Sequence, residues 1–429
     1  MRRLWDKGLP LDERILEFTA GEDHRLDERL VEYDVRASIA HARMLEAQGL
    51  LDAKDAAAIC KGLRELGDAH AAGRWSIALA DEDAHSALEA RLVGLIGEAG
   101  GRVHLGRSRN DQVLAALRLY LRDAVHALAG AAAEVGGALD ALASAQGHIA
   151  LPGFTHMQPA MPSSVALWAG GFAAELRDDR EALLRTLHRI DQNPLGSAAG
   201  YGVPNLPLDR EATRRELGFA RTQEPVTAVQ LSRGKAEAAV IFELSLLAGD
   251  LGRLASDLLL FYMAQLAYVA LPAEMTTGSS IMPQKRNPDV FELLRAVQSS
   301  ITGALVEALG LSAKLPSGYH RDLQRLKGPL FRSIDLAADA LEITAHALKG
   351  VRFRPENIDL PDEIHAAARA NALVVEHGLP FREAYRRVAA ELAAEAEAGQ
   401  RGQRDAGQRG GAQFDAERGD ANEREVRKP

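Results

Sequence analysis

From Ser108 to Gln146 the chain contains no proline, and Val113, Leu117, Tyr120, Leu121, Ala124 and Leu128 recur at three- and four-residue steps. That spacing predicts one apolar face of a single helix on the order of 60 Å long at 1.5 Å per residue. Ser108 and Asp111 stand at its start as a capping pair. The same periodicity predicts further long helices over 162–191, 227–271, 289–314 and 328–349. Pro162 occupies the permitted first turn of the first of these, and Pro272 stops the second. The helix over 227–271 is the most apolar: Glu237, Glu243, Asp250, Arg253 and Asp257 are too few to solvate a full face. Alanine and leucine dominate and β-branched residues are sparse. The expected fold is therefore all-α, an extended bundle whose core continues into neighbouring chains.

Residues 192–226 break this pattern, with Pro194, Gly196, Gly200, Gly202, Pro204, Pro207 and Pro225 marking turns and short irregular pieces. A smaller helical unit is expected from 351, after which 399–429 loses its apolar anchors and reads as a disordered tail. The expected division is an N-terminal helical domain 1–104, a central long-helix domain 105–350, a small C-terminal domain 351–398 and the tail. The net charge of −9 argues against a general nucleic-acid or anionic-membrane binder, while leaving room for a locally basic pocket. One cysteine, Cys60, permits neither an intramolecular disulfide nor a cysteine-based zinc site, and fits a reducing cytoplasm. The first residues lack the apolar run of a secretory signal, and no run of about 18 uncharged apolar residues reads as a membrane span.

Four segments interrupt the helices with small, polar and cationic residues. Thr276-Thr277-Gly278-Ser279-Ser280-Ile281-Met282-Pro283-Gln284-Lys285-Arg286-Asn287-Pro288 lies between two predicted helices and gathers hydroxyls, an amide and two cations. Glycine lets backbone approach a ligand, while Lys285 and the next helix N-terminus supply positive potential, so this loop suits a developing anion. Gly101 to Gln112 places Arg107, Arg109 and Asn110 at a helix start, an arrangement for carboxylates or equally a solvated basic cap. Gly153 to Pro159 carries His156, whose side-chain type titrates near neutrality, although a lone loop histidine is more often structural or exposed than catalytic. Leu315 to Lys327 packs Tyr319, His320, Gln324 and Lys327 behind a Pro-Ser-Gly turn, as a recognition segment or a charged connector. His85 and Glu89 share one helical face, a spacing that also serves an exposed surface pair. No HExxH or comparable carboxylate–histidine cluster signals a metal.

Taken together these segments resemble the fumarase/aspartase superfamily. Gly278-Ser279-Ser280-Ile281-Met282-Pro283 through Lys285 and Asn287-Pro288 is similar to its signature. Gln284, the block His104-Leu105-Gly106-Arg107-Ser108-Arg109-Asn110-Asp111-Gln112, and Leu323-Gln324 with Lys327 resemble the argininosuccinate lyase branch. The resemblance runs over roughly 4–390. It implies a homotetramer around a shared helical core, with sites composed from different subunits and no metal or organic cofactor. It also implies cleavage of argininosuccinate to arginine and fumarate by β-elimination.

By the same resemblance Ser279 is the base, stabilised by Lys285, and leads to an aci-carboxylate intermediate. His156 with Glu292 is implied to protonate or orient the departing nitrogen. Ser108, Arg109, Asn110, Thr155 and Asn287 are implied to hold the dicarboxylate half; Tyr319, Gln324 and Lys327 the remainder, with His85 nearby. The chain departs from the pattern at Leu105, at Met161, at Arg325-Leu326 in place of an acidic pair, and over Ala198 to Gly202. Its Phe18 to Asp23 segment also lacks the serine that the family uses on substrate. These departures bear on substrate recognition more than on elimination. Two other readings stay open: another fumarate-releasing lyase such as adenylosuccinate lyase or fumarase, and a non-catalytic crystallin-like structural protein.

Overall fold

A computed structural model describes residues 12–395 and 397; the tail expected over 399–429 lies outside them. By packing, the chain divides into two compact units, where the sequence reading divided it into consecutive segments. One unit takes the chain up to Leu142 together with Ala169–Arg352, and the other takes Ala143–Trp168 and the chain from Phe353.

Within the first unit, two short helices open the chain, α1 (Glu13–Ala20) and α2 (Asp23–Leu26), the first capped by the Asp12 carboxylate. They lead into α3 (Val31–Ala47), α4 (Ala53–Ala71) and α5 (Ala84–Ile96). These three close around Val31, Leu45, Ile59, Leu63, Leu88 and Leu92, all buried. Next comes α6 (Arg109–Gln146), which matches the long helix expected from Ser108. Its start is pinned by Asp111, which is fully buried. The Asp111 Oδ1 accepts from Ser108 N at 2.9 Å, and its Oδ2 accepts from Gly196 N at 3.0 Å and Ala198 N at 2.8 Å. The capping pair thus does more than cap: it ties the helix start to the irregular 192–226 segment.

The helix expected over 162–191 starts later. In the second unit, β1 (Ala150–Thr155) and β2 (Gln158–Ser164) form an antiparallel hairpin in which Pro152 faces Pro162. A two-stranded ribbon has only edges, so proline's missing N–H leaves no ladder bond unmade. The helix then runs as α7 (Val165–Arg185) and, after a break, α8 (Leu187–Ile190). A small helix, α9 (Arg210–Leu217), follows. The helix expected over 227–271 is interrupted as well: α10 (Ala228–Leu231) is separated from α11 (Lys235–Tyr262) by a break at Gly234, whose φ is +79°. It also ends well before Pro272, where Met263 turns to extended backbone and Ala267 adopts φ +48°. Arg118 of α6 braces the break, donating to Gln192 O at 2.8 Å and Ser232 Oγ at 2.7 Å.

Two more long helices complete the first unit, α12 (Asp289–Ser312) and α13 (Lys327–Leu348), packed with α11. Close approaches give the direction of the α11–α12 pair. Gly252 faces Arg295, Gly249 faces Gln298, and a side chain at Gly234 would collide with Ser312. The pairing is antiparallel, so the loop from 263 to 288 sits at one end and Gly234, Ser312 and Leu326 gather at the other. In the second unit α14 (Ala366–His377) and a helical stretch over 381–395 bury Ala370, Ala384 and Val388 together. No helix among the described residues is long and apolar enough to cross a membrane.

Candidate active site

The expected site residues fall into three groups. The first lies on the 277–287 loop. Its neck is closed by paired backbone hydrogen bonds between Thr277 and Asn287, at 3.0 and 2.9 Å, and by Thr277 Oγ1 donating to Asp289 Oδ2 at 2.5 Å. Above the neck Ser279 Oγ accepts from Ile281 N at 3.4 Å and Met282 N at 3.2 Å. Two backbone donors converging on one hydroxyl oxygen favour negative charge there. Lys285 and Arg286 are exposed beside it, Asn287 is half-buried with its amide 3.5 Å from Gly278 O, and Glu292 is exposed in the first turn of α12. Gly278 and the exposed tip leave room for a ligand to approach.

The second group sits at the other end of the α11–α12 pair. Arg109 NH2 lies 2.5 Å from Asp83 Oδ2, and His85 Nε2 lies 3.0 Å from Asp83 Oδ1 without hydrogen-bond alignment. His85 is buried, so the exposed-pair alternative for it does not hold. Glu89, its expected neighbour on the helix face, instead approaches His104 at 3.7 Å. Burial, with the Arg109 guanidinium second, pushes the His85 imidazolium well below its ordinary range and leaves the ring neutral. Lys327 is also buried: its Nζ donates to Asp27 Oδ1 at 2.6 Å and Asp23 Oδ2 at 2.9 Å, while Asp27 Oδ2 accepts from Ala84 N at 3.2 Å. Gln324 Nε2 donates to Thr19 O at 2.8 Å. Ser108 and Asn110 are half-buried at the α6 start, where Asn110 N donates to Ser108 Oγ at 3.3 Å. Tyr319 is half-buried in the turn after Gly318.

The third group, Thr155 and His156, lies in the second unit on the exposed turn of the β1–β2 hairpin. His156 and Met157 take φ +53° and +61°. Two consecutive left-handed residues are what a two-residue hairpin turn demands. Non-glycine side chains there carry strain that tends to accompany functional positions.

Several supporting groups went unread in the sequence. Asp23, Asp27 and Asp83 hold the second group together. Asp34 accepts from Gln112 Nε2 at 2.8 Å and from Ser38 Oγ at 3.0 Å, while Ser38 Oγ accepts from Arg107 at 2.8 Å, fixing the Arg107–Arg109 stretch from beneath. The available signal was Asp34, Ser38 and His41 at three- and four-residue steps on an α3 face otherwise built of alanine and apolar residues.

A family model described as Lyase matches residues 10–303. An argininosuccinate lyase of Sorangium cellulosum (strain So ce56) is 48% identical over 394 residues, covering 91% of each chain. An argininosuccinate lyase of Thermotoga neapolitana is 42% identical over 389 residues, covering 90% of this chain and 97% of its own. Among solved structures, an EDDS lyase variant with bound fumarate superposes with a TM-score of 0.75 at 25% identity, over 92% of this chain and 78% of that one. A class II fumarase from Schistosoma mansoni superposes with a TM-score of 0.75 at 19% identity, over 89% of each, and shares the fold.

Proposed function

The chain belongs to the argininosuccinate lyase family and cleaves argininosuccinate to arginine and fumarate; we propose that it does so by a β-elimination in which Ser279 is the base. The observation that carries this reading is the Ser279 turn. Two backbone N–H groups point at the hydroxyl oxygen, Lys285 is in the same loop and an α-helix N-terminus follows. In that field Ser279 gives up its own hydroxyl proton to solvent before the step, and the resulting oxyanion takes the proton from the succinyl carbon next to the one bearing nitrogen. The electron pair delocalises into the adjacent carboxylate as an aci-carboxylate dianion. It then re-forms as the carbon–carbon double bond of fumarate while the C–N bond breaks. His156 with Glu292 protonates or orients the departing guanidino nitrogen. Ser108, Arg109, Asn110, Thr155 and Asn287 hold the dicarboxylate half, and Tyr319, Gln324 and Lys327 the amino-acid half, with His85 bordering them.

The test is ultraviolet detection of fumarate when the purified protein meets argininosuccinate, with adenylosuccinate and malate in parallel. Fumarate from argininosuccinate alone is expected. Release from another substrate would keep the elimination and move the specificity, and silence in all three would overturn the reading.

One subunit does not suffice for this chemistry. The Ser279 loop and the Arg109–Lys327 group sit at opposite ends of α12, whose 24 residues span about 36 Å. Argininosuccinate reaches only about 10–12 Å, the length of three extended residues. We therefore assign the site to more than one chain of a homotetramer, in a cytoplasmic setting consistent with the single cysteine. Exposed apolar side chains on the same helices support the contact: Leu293 is 70% and Val306 66% exposed on α12, and Phe242 and Leu246 line one exposed stripe of α11. Mixing Ser279→Ala chains with His156→Ala chains, each inactive alone, should restore up to about a quarter of wild-type activity, the chance that both contributing chains carry their native residue. Absence of any recovery after verified subunit exchange would count against composite sites.

A further inference from the structure

Ser108, Arg109 and Asn110 follow a turn at Leu105-Gly106 and a short stretch of non-helical backbone. Gly106 takes φ +67°. Backbone of this kind takes its position from whatever its polar groups are tied to. One face of α3 supplies ties from beneath. Asp34, Ser38 and His41 stand on it at four- and three-residue steps, each no more than 2% exposed. Asp34 accepts from Gln112 Nε2 at 2.8 Å, Ser38 Oγ accepts from Arg107 at 2.8 Å, and His41 Nε2 lies 2.9 Å from the Leu105 carbonyl oxygen. The three holds fall on Leu105, Arg107 and Gln112, so they bracket residues 108–110.

The His41 tie has a defined chemistry. A carbonyl oxygen only accepts, so the ring presents its proton at Nε2. Burial, with the Arg107 guanidinium second, pushes the imidazolium down to about 3 and leaves the ring neutral. A neutral imidazole has one proton, so Nδ1 is a bare acceptor, and it is buried with no hydrogen-bond partner among the described residues. An unpaired buried acceptor is costly, and an apolar side chain of similar size would avoid that cost. Packing alone therefore does not call for histidine at 41; the bond from Nε2 does. Because that bond goes to backbone, it is indifferent to the leucine that stands at 105.

We infer that His41 is a positioning residue for the dicarboxylate half of the substrate, its Nε2–H holding the Leu105 carbonyl so that Ser108, Arg109 and Asn110 are in place before substrate arrives. This rests on the assignment of those three residues to the dicarboxylate. Without the bond, other placements of the segment hinged at Gly106 gain population, and apparent affinity falls with the competent fraction. Gln324 and Lys327 are held instead by Thr19, Asp23 and Asp27, so the leaving-group half is spared.

The experiment is calorimetric titration of the whole protein with succinate, a saturated dicarboxylate that cannot eliminate, and with L-arginine, alongside thermal melts. His41→Leu is expected to weaken succinate about 3- to 10-fold, the effect of one hydrogen bond on the competent fraction, while arginine affinity and the melting midpoint hold. His41→Gln places an N–H as far from Cα as the histidine Nε2 and should restore succinate binding to near the wild-type value. His41→Asn keeps a polar side chain but draws its N–H closer to the backbone. It should behave as the leucine variant does, and it carries the test if leucine does not fold. Asn110→Ala, which removes a contact residue in place of its support, should weaken succinate as well.

Calorimetry reports affinity and stoichiometry separately. A merely structural role for His41 lowers the fraction of protein that binds and leaves the affinity of the remainder unchanged, a result that overturns the inference. Equal weakening of both ligands, or asparagine and glutamine behaving alike, overturns it too. Loss of succinate affinity in Asn110→Ala alone retires the role of His41 and keeps the assignment of residues 108–110; loss in none of the variants retires both. Because the titration needs no turnover, a wild-type protein that shows this pattern but releases no fumarate retires the lyase reading and leaves the His41 tie standing.

Discussion

Ser279→Ala is expected to lower kcat for fumarate release by about 10²- to 10⁴-fold, the usual contribution of a positioned proton-transfer group, while the protein remains folded and assembled. The two outcomes separate because Ser279 does little for the loop's structure. Its hydroxyl accepts two long bonds from Ile281 N and Met282 N, at 3.4 and 3.2 Å, in a half-exposed turn where water replaces them. The loop neck depends instead on Thr277, Asn287 and Asp289, which the substitution leaves untouched. Stability should therefore change by less than about 1 kcal/mol. The assay is fumarate absorbance alongside circular dichroism and size-exclusion chromatography. Near-normal turnover in a folded variant would move the base to another residue.

The second large effect is on stability. Lys327→Met should destabilise the protein by about 3–5 kcal/mol near pH 8, because it leaves Asp23 and Asp27 buried without their counter-charge. Burial alone pulls the lysine toward its neutral form, and the two carboxylates outweigh that pull and hold it charged. Removing the cation therefore exposes a cost that the wild type already carries in part, seen in the rise of the Asp23 carboxyl to about 6. A carboxyl whose folded value is raised binds its proton more tightly in the native state. The variant's deficit should thus be largest in alkaline solution and shrink as pH falls through 6 and the carboxylates neutralise. Adding Asp23→Asn and Asp27→Asn to Lys327→Met should recover most of the loss, since a hydrogen-bonded neutral cluster avoids the unpaired charge. Thermal melts of the single and triple variants at pH 8 and pH 5.5 check this. An unchanged midpoint for Lys327→Met at pH 8 would show that water reaches the cluster and screens it.

The same cluster shows where reading from sequence reached its limit. From its place after Leu323-Gln324, Lys327 reads as a recognition residue, but nothing local to it signals Asp23 or Asp27. Asp23 lies 304 residues away along the chain, and the two meet because α13 packs against the N-terminal helices. His85 was ambiguous for the same reason. A histidine and a glutamate one turn apart read alike on an exposed helix and on a buried one, and only burial in the folded chain, with Arg109 brought close, made the ring neutral. The helix ends drifted where local backbone overrode periodicity. Gly234 breaks a pattern that is apolar on both sides of it, and Pro152 and Pro162 pair in a hairpin where a first-turn proline reads equally well.

What the sequence by itself determined is the set of features that depend on neighbours within a few turns. These are the all-helical class, the length and start of α6, the Ser279 loop between two helices, and the motifs that place the chain among argininosuccinate lyases. Periodicity near 3.6 residues and the chemistry of a short loop act over about 5–15 Å of chain, so they are written locally. Only the tertiary structure decided that α11 and α12 run antiparallel, with the Ser279 loop at one end and the Arg109–Lys327 group at the other. It alone decided which carboxylates surround Lys327. Those outcomes follow from burial and from partners brought together out of distant segments, where a charge must find its counter-charge whatever their separation along the chain.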